Sequence, residues 1–328
     1  MPSVTGPASD ALIMLIRIFL GTAPPTEMPA GIDEQALYEE ARSTGLIPLL
    51  YFHPCRDGFS NDFRARLKRA YIAHTAHFSR LAKSLLTICS RFQHDGIMAV
   101  PFKGLGLSQR LYGDFQFRLH TDHDILVKKD QVREAAAALQ SCGFQLSQSL
   151  FKSDWGALVS RVYSLEFQHP TQRVLVDLQW DIANGYVSPS LPEEELVQNT
   201  AQISILDQPV PFFKDDIVLL LLCVHGAKNG WCELRALLDL AMMMQKMEEA
   251  VWRETITLMQ GRGILTMLTT GVVLAQRILG APIPAPAAEL ITPRAQKLAG
   301  AVQRYWREAG TTRPSAWQRF FRDLRFRE

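Results

Sequence analysis

A chain of 328 residues that is 47% hydrophobic and 21% charged has enough apolar surface for one large globular domain or two moderate ones, which excludes a disordered polypeptide. Its formal net charge of +2 is too small to argue for a nucleic-acid partner. Cys55, Cys89, Cys142, Cys223 and Cys232 form no CxxC pair, so reduced thiols in a cytoplasmic protein are expected rather than a zinc site.

Residues 8–21 carry helical patterning, with Ser9 or Asp10 as the cap and Gly21 as the stop. This apolar stretch contains Arg17 and has no basic segment before it, which argues against a signal peptide. After a loop from Thr22 to Thr26, Asp33 opens a second helix that Gly45 stops. Pro48, Pro54 and Gly58 interrupt the chain before a long helix from about Asn61 to His94, where Phe63, Leu67, Ala70, Tyr71, Phe78, Leu81, Leu85 and Ile88 recur at threes and fours.

The period changes at Gly96. The run from Ile97 to Phe102 predicts a strand, and Leu105 to Tyr112 a helix ended by Gly113. Leu119 to Val127 is the next strand and residues 130–141 an alanine-rich helix. Tyr163 to His169 and Val174 to Trp180 are two further strands around a turn at Pro170. From Asp215 the pattern is helical again, near 215–229, 231–247, 250–260, 263–279 and 293–309, with a proline-rich connector from Ala281 to Pro286. The run from Ile217 to Val224 is too short for the roughly 18 apolar residues of a membrane span and predicts a buried helix. The tail from Phe320 to Glu328 stops abruptly, and further residues are expected after it. The expected organisation is an N-terminal helical region (1–95), an α/β core (96–212) and a C-terminal helical domain (213–328).

Chemistry concentrates in the core. Asp122 and Asp124, two residues apart at the start of a strand, present two carboxylates to one face, roughly 7 Å apart at Cβ. Hard oxygen ligands at that spacing suit Mg²⁺ and a phosphate-bearing substrate. Asp177 is one acidic side chain on an otherwise apolar strand, costly to bury unless paired or bound to metal. Lys103 and Gly104 stand between a strand and a helix, where glycine lets a phosphate approach free N–H groups and lysine adds a charge.

The stretches Phe102 to Tyr112, Arg118 to Val127 and Val176 to Trp180 resemble bacterial nucleotidyltransferases of the DNA-polymerase-β-like superfamily. Ala41 to Leu50 is similar to that family's N-terminal helical region and Leu221 to Ala241 to its C-terminal one. The resemblance implies an α+β fold: a small mixed sheet with flanking helices, set between two helical regions. It implies a transferase that uses Mg²⁺, with two ions, to move a nucleoside monophosphate from an NTP to a hydroxyl on a small molecule, peptide or protein. Asp122 and Asp124 then hold metal, and Asp177 holds a second ion and helps activate the acceptor. Gly104 cradles phosphate, and Lys228 on the helix face of His225 reaches the triphosphate. Arg118 either touches a phosphate or orients an aspartate.

One departure stands out. Leu105 follows Gly104 where the superfamily has Ser or Thr, and Ser108, one turn on, is the candidate replacement. A non-catalytic nucleotide-binding or antitoxin-like module is the alternative, and a phosphotransferase with the same acids the third reading. A nucleic-acid acceptor is disfavoured because no basic stripe with interleaved aromatics occurs, the basic tail from Arg313 to Arg327 being the one place to look. Asp239 is expected to pair within the helical domain or reach the acceptor, and Trp231 to be core or to stack on a base.

Overall fold

In a computed structural model the chain is described over residues 7–25, 31–147, 155–182 and 198–308. The tail beyond Glu308 lies outside the described residues. In chain order the elements begin with α1 (Pro7–Phe19), α2 (Glu34–Thr44), α3 (Ile47–Tyr51) and α4 (Asn61–His94). There follow β1 (Ala99–Pro101), α5 (Gly104–Tyr112), β2 (Asp122–Val127), α6 (Val132–Ser141), β3 (Gln145–Leu146) and α7 (Trp155–Arg161). Next come β4 (Ser164–Gln168), β5 (Leu175–Gln179), β6 (Thr200–Ile205) and β7 (Gln208–Phe213). The chain continues with α8 (Asp215–Lys228), α9 (Leu234–Lys246), α10 (Glu249–Gly261), α11 (Leu265–Leu279), α12 (Ala285–Ala288) and α13 (Pro293–Glu308).

These elements form two compact units. One takes the chain up to Ile72 and from Asp215 onward; the other is Ala73–Lys214. The sequence reading divides the chain at 95/96 instead. The difference arises because Phe78, Leu81, Leu85, Ile88 and Phe92 of α4 share one buried cluster with the sheet residues Ile125, Val127, Val176, Leu178 and Phe167.

The helical unit is held by short-range signals and a few long-range ties. Asp33 caps α2 by accepting from the Ala36 N–H at 3.0 Å, and Gly45 closes it in the left-handed region. Arg17 Nε donates to the Ile278 carbonyl at 2.8 Å, tying α1 to α11. The run in α8 is buried from Ile217 to Val224, as expected of an interior helix. Among the described residues no helix is long and apolar enough to cross a membrane.

The second unit carries a five-stranded sheet of order β1-β2-β5-β4-β3. β1 pairs antiparallel with β2, β2 parallel with β5, and β5 antiparallel with β4, so the sheet is mixed. Period-two alternation sorts its faces. His123, Ile125 and Val127 of β2, Val176 and Leu178 of β5, and Leu165 and Phe167 of β4 are buried, most of them in the cluster shared with α4 and α6. Asp122, Asp124 and Asp177 project from the opposite side. β6 and β7 form a hairpin not anticipated from the sequence. Its turn residues Leu206 and Asp207 both have positive φ (49° and 59°), the requirement of a tight type I′ turn that Asn-Gly usually meets. Pro209 and Pro211 hide the second strand from a propensity reading.

Candidate active site

The register of β2 and β5 brings the acids together. Asp124 pairs directly with Asp177 across the parallel ladder, and Asp122 lies one pleat away opposite Leu175. Directly paired residues share a face, so carboxylates from two strands stand side by side. Lys103, between β1 and α5, sends its ammonium to Asp124 Oδ1 at 3.0 Å; the lysine side chain is 24% exposed and the aspartate 11%, so this pair is largely shielded from water. Gln179 Nε2 donates to the same Asp124 Oδ1 at 2.8 Å and to Asp177 Oδ2 at 2.7 Å. Burial, and next the charge of Asp124, raise the Asp122 carboxyl above its ordinary range. The same two causes push Asp177 up to about 6, against the opposing pull of the Ser164 hydroxyl and Lys103. Each is a carboxylate that an added cation would relieve.

Among the described residues no three His, Cys, Asp or Glu side chains already stand in an arrangement that would hold a metal ion. Gln179 and Lys103 instead satisfy oxygens of Asp124 and Asp177. The donor set still fits a hard divalent cation in its chemistry: carboxylate oxygens on adjoining strand positions, two of them with proton affinity raised by burial and a negative neighbour.

The loop that enters α5 is shaped by Gly104, which has φ +54°. A Cβ there would lie 3.1 Å from His120 Cδ2 and 3.5 Å from the Asp122 carbonyl, so the backbone passes close under the chain leading into β2. His120 Nδ1 lies 3.0 Å from the Arg118 carbonyl, and its ring packs 5.2 Å from that of Phe78. Gly106, within the first turn of α5, meets Phe212 of the hairpin so closely that a Cβ would sit 2.4 Å from its ring.

Ser108 does not face this loop's open side. It is fully buried, and its hydroxyl donates to the Asp114 carbonyl at 2.6 Å and accepts from the Arg118 N–H at 2.9 Å. Those bonds fold the α5–β2 connection back on α5, and they use the hydroxyl's proton. Ser108 therefore does not replace the hydroxyl missing at Leu105. Arg118 is 8% exposed, and its charge only slightly opposes the rise that burial and Asp124 impose on the Asp122 carboxyl.

Two residues on the acidic side went unread in the sequence. Gln179 follows Asp177 by two positions and so shares its face. Glu166 pairs with Asp177 from β4 and extends the lateral row of acids to a third strand. The alternation from Ser164 to Gln168 carried the signal for Glu166. His225 and Lys228 close α8 in the helical unit, where Lys228 is exposed and His225 Nε2 lies 3.3 Å from Asn229 Nδ2. Trp231 is fully buried with φ +56°, filling space against Gly226 and Gly271, where a Cβ would come within 2.3 and 2.4 Å of its ring; it is a core residue, not a base platform. Asp239 is likewise fully buried in α9.

Acids from adjoining strands of a small mixed sheet stand beside a lysine–glycine turn and the start of a helix, and the family model that matches this chain is one of nucleotidyltransferases. The family described as "Uncharacterised nucleotidyltransferase" matches residues 30–280, and the chain belongs to that family. The enzyme is thus a nucleotidyltransferase. No functionally curated protein matches the chain. Among solved structures, similarity extends to the antibiotic-resistance factor ANT(2'')-Ia, at 11% identity and a TM-score of 0.40 over 56% of this chain and 92% of that one. The lincosamide antibiotic adenylyltransferase LnuA, bound to lincomycin, is 18% identical with a TM-score of 0.31 over 42% and 83%. An antigenic nucleotidyltransferase-like protein from Paracoccidioides brasiliensis is 15% identical with a TM-score of 0.35 over 64% and 96%.

Proposed function

We propose that the enzyme transfers a nucleoside monophosphate from an Mg²⁺-bound NTP to a hydroxyl of a small-molecule, peptide or protein acceptor in the cytoplasm. The observation that carries this reading is the pairing of Asp124 with Asp177 across β2 and β5, next to Lys103 and the Gly104 turn. Asp122 and Asp124 would hold one ion and Asp177, with Asp124, a second. When bound, such ions neutralise charge on the attacking and leaving oxygens of an in-line displacement.

The chain's own residues supply the rest. Free N–H groups at the start of α5 receive phosphate oxygens where Gly104 leaves room. Lys103, held at Asp124 here, would offer its charge to the triphosphate once a cation occupies that carboxylate. Asp177, beside the acceptor oxygen, takes the acceptor's proton as that oxygen bonds to the α-phosphorus. The bond from that phosphorus to the bridging oxygen breaks, and pyrophosphate leaves. Arg118 stays behind Asp122 and steadies it rather than touching substrate.

Incubation with each α-labelled NTP, Mg²⁺ and host extract tests the reading. Label deposited on an acceptor, with stoichiometric pyrophosphate, is the expected result. Nucleotide binding without pyrophosphate release across a broad acceptor panel would leave a binding module instead, and an acceptor heavier by one phosphoryl group would make it a phosphotransferase.

A further inference from the structure

We propose that Gln179 is a positioning residue of the transfer reaction, an amide clamp that holds Asp124 and Asp177 in register for a shared cation; this rests on the reading of those carboxylates as metal ligands. A side-chain amide has two N–H donors. Here the same nitrogen reaches Asp124 Oδ1 at 2.8 Å and Asp177 Oδ2 at 2.7 Å, carboxylates on two different strands. Gln179 is 3% exposed, so water does not compete for those donors. The ladder fixes its place: it pairs with Leu126 on β2 and Ser164 on β4, one pleat beyond Asp177 on the same face.

Two like charges on neighbouring strands turn apart unless a donor holds them together. Lys103 and Gln179 both touch Asp124 Oδ1, but they differ in what they leave behind. The ammonium of Lys103 cancels a negative charge and so opposes an incoming cation. The amide of Gln179 orients the carboxylates and leaves their full charge for the metal. Asp177 Oδ2 retains a second lone pair; Asp124 Oδ1 accepts from both Gln179 and Lys103, but Asp124 Oδ2 and Asp177 Oδ1 are not engaged by the amide. The clamp and a bound cation are therefore compatible. Outer groups that orient metal ligands in this way typically contribute about 10- to 100-fold in metal affinity.

The test is Mn²⁺ binding by the nucleotide-free protein, followed by the paramagnetic resonance of free Mn²⁺, in wild type and Gln179→Met. Methionine keeps the length and bulk of the side chain and removes both donors. Thermal unfolding reports whether the variant is folded, and Gln179→Asn, which keeps the amide but withdraws it by one methylene, serves if it is not. A folded variant with Mn²⁺ Kd raised about 10- to 100-fold is the expected result, with kcat reduced and KM for the acceptor unchanged. A folded variant that binds Mn²⁺ as tightly as wild type overturns the clamp alone. Wild type that binds no Mn²⁺ overturns the cation reading beneath it.

Discussion

Alanine at Gly104 probes the turn on which the phosphate site depends. Two penalties are expected. The first is conformational: at φ +54° an L side chain in the left-handed region costs about 1–2 kcal/mol. The second is contact: the new Cβ would lie 3.1 Å from His120 Cδ2, and the His120 ring is itself packed on Phe78, so overpacking adds about 1–2 kcal/mol. Gly113 supplies the control, because it has φ +73° but nothing within 4 Å of the place a Cβ would take. Gly113→Ala therefore carries only the backbone penalty. In parallel thermal melts, Gly104→Ala should lose roughly twice the Tm that Gly113→Ala loses, at about 2–4 °C per kcal/mol. Displacing the turn also misplaces the phosphates, and a shift near 1 Å lowers kcat/KM on the order of 10²-fold, whereas Gly113→Ala keeps near wild-type turnover. Equal Tm losses and equal kcat/KM in the two variants would refute the reasoning.

Further expectations rest on other contacts. Ser108→Ala leaves the Arg118 N–H without its buried acceptor, which should lower stability by about 1–3 kcal/mol in urea unfolding while leaving KM for NTP unchanged; a rise in KM alone would return Ser108 to the phosphate site. Gly106→Ala drives a Cβ to 2.4 Å from Phe212 and should destabilise by about 1–3 kcal/mol, with Phe212→Leu in the double variant recovering part of the loss; strict additivity of the two substitutions would contradict the direct clash. Acidification tests the buried histidines. Burial holds His120 down to about 3 and His123 to about 4, so between those values and about 6.5 the unfolded chain binds protons that the folded chain does not, and stability falls as pH falls. From pH 7 to 5 each contributes a loss of about 2 kcal/mol. Asp177 acts oppositely: raised to about 6, it is protonated in the folded state first and returns about 1.4 kcal/mol over the same change. Urea midpoints should thus be lower at pH 5 than at pH 7, and an unchanged or higher midpoint at pH 5 would be the contrary result.

Much of this architecture is legible because local signals are strong. Asp33 and Gly45 announce the ends of α2, and the threes-and-fours spacing from Phe63 to Ile88 marks α4. Asp122 and Asp124 can be assigned to one strand face from spacing alone. Their meeting with Asp177 depends on a parallel pairing between segments some fifty positions apart, which the family resemblance implies and periodicity does not encode. The β6–β7 hairpin is obscured by Pro209, Pro211 and a glycine-free turn. Ser108 misleads because one-turn spacing from Gly104 says nothing of the Asp114 carbonyl and Arg118 N–H that claim its hydroxyl. Gln179 has the look of ordinary strand polarity until its two carboxylate partners are visible.

The most direct measurement of the central claim is anomalous diffraction from crystals grown with Mn²⁺ and a non-hydrolysable NTP. The account predicts metal peaks about 2.0–2.3 Å from oxygens of Asp122, Asp124 and Asp177 and from the triphosphate. A nucleotide bound with its metal away from all three aspartates would contradict it.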